Sequence, residues 1–169
     1  MIRVLIASAA VVLSSSVASA QTFANPARAA AVPAATGRAL LSPEEHIELA
    51  RSAVASGDFD AARREYLSAV TLDRAAGRLP TESTMGLVQM LYAQSYTREA
   101  SHMLDLLANE AAQRSDVETE ARARADALWL KAGDGRRAQA REDATRLRTL
   151  IKQGVLSADT QRYVASRFR

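Results

Sequence analysis

The chain has 169 residues, 48% of them hydrophobic, and carries 22 basic against 19 acidic side chains for a net charge of +3. That length falls within the span of one domain, and the apolar fraction is enough to bury a core. The lack of cysteine excludes disulfides, thiolate metal sites, a cysteine nucleophile and a lipid-modified N-terminal cysteine.

Alanine supplies much of the apolar content, while glycine (7) and proline (4) are scarce, which predicts an all-α fold of closely packed helices. The pI of 9.7 reflects the high pKa of arginine more than a basic excess. It gives little reason to expect a nucleic-acid or membrane partner.

Met1-Ile2-Arg3 is a short positive start, Val4 to Leu13 an apolar run, and Ala18-Ser19-Ala20 a small-x-small cleavage pattern. Residues 1–20 therefore read as a signal peptide cut after Ala20, since the run is about half of the roughly 20 residues that span a bilayer. Cleavage removes one charge, Arg3, and leaves 21 basic against 19 acidic residues. No twin arginine precedes the run, which points to general secretion of an unfolded chain and a periplasmic or secreted product, with no stable membrane insertion after cleavage. Residues 21–41 mix alanine with Pro26, Pro33 and Gly37 and carry few large apolar side chains, the composition of a flexible tether.

Residues 42–169 are expected to form the ordered domain. Ser42-Pro43-Glu44-Glu45 is a capping box that opens a helix carrying Ile47, Leu49, Ala50, Ala53 and Val54, and Gly57 ends it. Asp58 caps a second helix, expected to bury Phe59, Ala62, Tyr66, Ala69 and Val70. The short turn between them predicts a helical hairpin. Gly57, Phe59, Ala62, Tyr66 and Ala69 resemble the second half of a tetratricopeptide repeat, and Leu49 and Ala50 match its first half. His46, Ala53 and Arg74 stand where that family often has tryptophan, tyrosine and proline.

Two further units follow. Thr81 is expected to cap a helix with Leu87, Val88, Met90, Leu91 and Tyr92, and after Gln94 to Thr97 a helix carries Ala100, Met103, Leu104 and Leu107. Ser115-Asp116-Val117-Glu118 reads as a second capping box, opening a helix with Val117, Ala121, Ala125, Leu128, Trp129 and Ala132 on one stripe. Its turn is Gly133-Asp134-Gly135, and the next helix carries Ala138, Ala144, Leu147 and Ile151. Aligning Gly57, Ser95 and Gly133 gives two steps of 38 residues, longer than the 34 of the standard repeat, with the extra length in the connectors. A last helix after Ser157, with Ala158, Tyr163, Val164 and Phe168 among arginines, reads as a cap on the array.

The resemblance implies a right-handed, tetratricopeptide-like α-solenoid of three helix pairs plus a C-terminal capping helix. It also implies a concave groove lined by the first helix of each pair. By position the groove candidates are Glu48 and Arg51, Gln89 and Tyr92, and Arg124 and Lys131. The lysine and asparagine set with which chaperone adaptors of the family clamp a terminal carboxylate is missing.

No phosphate loop, nucleophile elbow or metalloprotease motif is present in the sequence. His46 and His102 fall in different units, and neither has a ligand partner at helical spacing. Glu118, Glu120 and Asp126 lie among Arg122 and Arg124 and read as an ion-paired face. The arginines from Arg122 to Arg148 are interleaved with acids, unlike a nucleic-acid stripe. The expectation is a non-enzymatic scaffold of the bacterial cell envelope that binds a protein or peptide, with no catalytic residues, cofactor, metal or nucleic acid. The competing reading is a small ligand-binding or regulatory helical domain in the periplasm. Three hairpins are near the minimum for a stable array, so homo-oligomerisation through an end or edge is also open.

Overall fold

In the computed structural model residues 41–168 are described, and they form seven α-helices with no strand among them. The expected signal peptide and nearly all of the expected tether lie outside the described residues. The helices are α1 (Pro43–Ser56), α2 (Phe59–Ala75), α3 (Thr81–Ala93), α4 (Thr97–Gln113), α5 (Val117–Gly133), α6 (Arg137–Lys152) and α7 (Ala158–Arg167).

The ends of the helices follow local chemistry. Ser42 Oγ accepts from the Glu45 N–H at 3.2 Å and Glu45 Oε2 accepts from the Ser42 N–H at 2.7 Å, which completes the first capping box. Asp58 caps α2 through the Ala61 N–H at 2.9 Å. Ser157 caps α7 through the Thr160 N–H at 3.3 Å, whereas two other expected caps differ. Thr81 is the first helical residue of α3, with Pro80 at the cap position and no side-chain cap bond. Ser115 adopts a left-handed turn (φ 60°), so Asp116 caps α5 through the Thr119 N–H. Glu118, freed from the second box, accepts from the N–H and Oγ of Ser157 at 2.6 and 3.0 Å and fixes the start of α7.

Consecutive helices α1 to α6 pack against one another, and α7 packs on α5. The largest core cluster runs from Ile47 and Ala50 of α1 through Tyr66, Leu87, Leu91 and Leu104 to Ala123, Ala127 and Leu130 of α5. A second cluster sets Ala121, Ala125 and Leu128 of α5 against Ala144, Leu147 and Leu150 of α6, Leu156 and Val164. Helix α5 is thus buried on two faces, where one stripe is expected from the sequence. Alanine at alternate sites makes this workable, because a methyl group lets the α4 and α6 backbones approach from both sides. Gly86 performs the same service for α2. A Cβ there would lie 2.5 Å from Tyr66 Cε1, so the tyrosine ring occupies the space a side chain would need.

Several expected core residues face out instead. Phe59, Trp129, Ala132, Ala138 and Ile151 are exposed, as are Leu49 and Phe168. The cause in the third unit is a register shift. Helix α5 continues through Gly133, and the left-handed residue that turns the chain is Gly135 (φ 73°). Gly57, Ser95 and Gly135 therefore mark the turns, two residues out of step with the expected 38-residue spacing at the last. The small buried residue of α6 is Ala140, not Ala138.

Candidate functional site

Helices α3, α5 and α7 leave a cleft of about 220 Å³ between them, whose walls include Met85, Gln89 and Tyr92, then Asp126 and Trp129, then Tyr163 and Arg167. Met85 and Gln89 also border a second depression toward α1, about 360 Å³, with Arg51 and Glu82. On the far side Tyr92, Trp129 and Arg167 border a third, about 590 Å³, that reaches Asp134 and Phe168. The three share walls and make one continuous surface along α1, α3, α5 and α7.

Aromatic rings dominate its centre. Tyr92 and Trp129 are 47% and 42% exposed, with ring centroids 5.4 Å apart and planes tilted by 60°. Tilted aromatic pairs of this kind are apolar platforms that lose little rotamer entropy on binding. The Arg167 guanidinium lies 5.7 Å from the Trp129 centroid and 5.2 Å from that of Tyr163, within cation–π range. Its Nε is 2.8 Å from Asp126 Oδ1, and the Tyr163 hydroxyl donates to Asp126 Oδ2 at 2.6 Å.

This carboxylate is engaged on both oxygens and anchors α7 to α5. Burial, then the Asp126 hydrogen bond, pushes the Tyr163 phenol up, so it stays protonated as a donor at neutral pH. The hydrogen bond to Tyr163 raises the pKa of the Arg167 guanidinium, burial opposes the rise and the nearby Asp126 adds to it, so the net value lies above the ordinary one and the group stays charged.

The sequence-predicted site residues divide. Glu48, Arg51, Gln89 and Tyr92 are exposed on this surface or at its α1 end, and Arg51 bridges Glu48 and Glu82 across α1 and α3. Arg124 and Lys131 are elsewhere. Lys131 is 5% exposed, its Nζ 2.6 Å from Asp105 Oδ1 and 2.7 Å from Asp143 Oδ2. Arg124 donates to Glu120 (2.8 Å), Asp143 (3.3 Å) and Asn109 (3.2 Å). Arg146 closes the seam through two bonds to the buried Glu120, at 2.7 and 2.8 Å. Burial pushes the Glu120 carboxyl up, and Arg146 and Arg124 more than offset it, leaving its pKa below the ordinary value.

The two-residue shift explains the division. Ala53 and Leu91 of α1 and α3 face inward, and the matching residue of α5 is Lys131. Arg51 and Gln89 face outward, and their match is Trp129. Sequence reasoning missed Met85, Asp126, Trp129, Tyr163 and Arg167. Choosing the second glycine of Gly133-Asp134-Gly135 as the turn would have found the α5 pair.

In comparisons with known proteins, no family model, no curated relative and no solved structure matches this chain. Among the described residues no group of three or more His, Cys, Asp or Glu is arranged to hold a metal ion. His46 Nδ1 lies 2.6 Å from Glu65 Oε2 and joins α1 to α2, and His102 is on the surface. No described helix is long and apolar enough to cross a membrane.

Proposed function

We propose that the protein is an exported, non-enzymatic scaffold of the bacterial cell envelope, built as a tetratricopeptide-like stack whose first-helix face receives a segment of a partner polypeptide. The observation that carries this reading is the continuous cleft along α1, α3, α5 and α7, with the Tyr92–Trp129 platform at its centre. The stack itself is supported by a subset of the long-range bonds that recurs at nearly constant sequence separation. Arg63 with Glu99, Arg74 with Glu110, Thr97 with Asp134, Arg122 with Thr160 and Tyr163 with Asp126 are all 36 to 38 residues apart. Such spacing is what stacked helix pairs of similar length produce.

The cleft suits one large apolar side chain of a peptide. At about 220 Å³ the central cleft by itself is below the 300 Å³ or so at which small-molecule sites begin, while the flanking depressions of about 360 and 590 Å³ extend it along the surface. Polar groups on either side, Gln89 with the Arg51–Glu82 bridge and Asp134 beyond Trp129, are placed to bond the backbone of an extended segment.

The test is capture from envelope extracts. The mature chain is expected to retain one stoichiometric protein, and the variant Y92A/W129A to lose it with little change in thermal midpoint, because both rings are half exposed. Undiminished capture by that variant would remove the cleft from the interaction. N-terminal sequencing of the exported product is expected to begin at Gln21.

A further inference from the structure

A second surface, away from the cleft, lies on α6. Arg137, Arg141, Arg148 and Lys152 are all exposed, and among the described residues none makes an ion pair. At 3.6 residues per turn they fall within about 60° of arc, a single basic stripe. Most other arginines of the domain are paired, so this edge stands apart.

The stripe occupies positions whose side chains, elsewhere in the stack, reach across to the second helix of the next pair. Arg63 and Arg74 of α2, eleven residues apart, reach Glu99 and Glu110 of α4, also eleven apart. The α4 residue matching Arg63 is Ser101, and it accepts from Arg136 at the start of α6. On α6 the matches for Arg63 and Arg74 are Arg141 and Lys152, again eleven apart. Between them Arg148 and Ile151 stand exposed where Val70 and Asp73 of α2, and Ala108 and Ala111 of α4, are buried. Helix α7 packs on α5 and leaves this edge uncovered.

We infer that the exposed edge of α6 continues the stack onto a helix of a partner protein that carries two carboxylates eleven residues apart on one face, as α4 does toward α2. The inference rests on the stacked-pair reading above but not on the cleft. Charge complementarity selects the occupant. An edge that only had to stay wet would be served by either sign, whereas four unpaired cations around a half-exposed isoleucine match an acidic amphipathic helix. Eleven residues is three turns, about 16 Å, so both pairs form on one rigid helix without bending. A second copy of this chain fits less well, because its α2 carries Ala61 and Leu72 where α4 carries Glu99 and Glu110.

The probe is a synthetic peptide of Thr97–Gln113, stapled on the face opposite Glu99 and Glu110 to hold it helical, titrated into the full mature chain by fluorescence anisotropy. The intact chain is expected to bind it, and R141E/K152E to bind at least ten-fold more weakly while keeping its circular dichroism and melting point. A peptide with Glu99→Arg and Glu110→Arg is expected to recover binding to R141E/K152E. That rescue separates edge pairing from displacement of the resident α4. No binding by the intact chain, equal binding by R141E/K152E, or loss without rescue would overturn the inference. So would cosedimentation of the intact chain with phosphatidylglycerol vesicles that R141E/K152E abolishes while peptide binding is unaffected, since the edge would then read anionic lipid. Dimerisation of the mature chain abolished by the same substitutions, without peptide competition, would assign the edge to a second copy and overturn it equally.

Discussion

Replacing Lys131 by methionine is the sharpest perturbation of this fold, because it keeps the length and apolar stem of the side chain and deletes only the ammonium. Lys131 is 5% exposed and Asp143 is 3% exposed, 2.7 Å apart. After the change Asp143 retains only Arg124, at 3.3 Å, while Asp105 is open enough to return to water. Removing one partner of a buried pair costs about 3–5 kcal/mol, most of it the penalty of the stranded charge. With an unfolding entropy of about 2.1 cal/mol/K per residue over roughly 130 ordered residues, each kcal/mol moves the midpoint by about 4 °C. Lys131→Met should therefore lower the melting temperature by about 11–18 °C, read by circular dichroism at 222 nm and checked by urea unfolding at unchanged m-value. The double variant K131M/D143L should recover most of the loss, since the stranded charge leaves with its partner. A single variant within about 4 °C of the parent, or a double variant no better than the single, would refute the buried seam.

Gly86→Ala ordinarily gains about 1 kcal/mol in a helix. Here the new methyl meets the buried Tyr66 ring at 2.5–2.9 Å, so the expected outcome is a net loss of about 1–2 kcal/mol by chemical denaturation, partly relieved in G86A/Y66L. Ser95 and Ser115 hold left-handed turns at φ 66° and 60°, and glycine at each should stabilise by about 0.5–1 kcal/mol in the same assay. The Glu120 carboxyl has its folded pKa below the unfolded value of about 4.3. Its contribution is thus fully present above that value and lost as pH falls through the folded one, so stability should drop below about pH 4. The drop should be shallower in Glu120→Gln, itself less stable at neutral pH.

The all-helical class and the first two helix pairs were legible because their signals are local. Ser42 with Glu45, Asp58 at its cap, and Gly57 at its turn each act within a few residues, and the structure uses all three. Burial of Ala62, Tyr66, Ala69 and Val70 follows from their helical spacing. The third unit was misread because its local signals are degenerate. Gly133-Asp134-Gly135 offers two glycines for one turn, and Ala138 and Ala140 are both small enough to sit under α5. Ser115 satisfies the capping-box pattern, but Asp116 beside it is an equally good cap, and the partner of Glu118 lies 39 residues away. Half of the candidate site was lost to the same ambiguity, since moving the turn by two residues exchanges Lys131 for Trp129 on the exposed face.

That exchange also shows what fixes the register of α5. Its buried residues against α4 and α6 include Ala121, Ala123, Ala125 and Ala127, and one methyl fits another's place with little change in buried area. Alanine contacts permit close packing yet do not choose among sliding positions. Glu120, Arg124 and Lys131 do choose, because each pairs with a particular acid or base on α4 or α6 within hydrogen-bonding distance. Sliding α5 by one residue would turn all three away from Asp105, Asn109, Asp143 and Arg146 and strand several charges in the interior. The ionic seam thus supplies the specificity that the alanines lack. It also places Asp126 and Trp129 on the open face, where they meet Tyr92, Tyr163 and Arg167. The cleft and the seam are two faces of one helix, and the charges that are hidden set the position of the rings that are exposed.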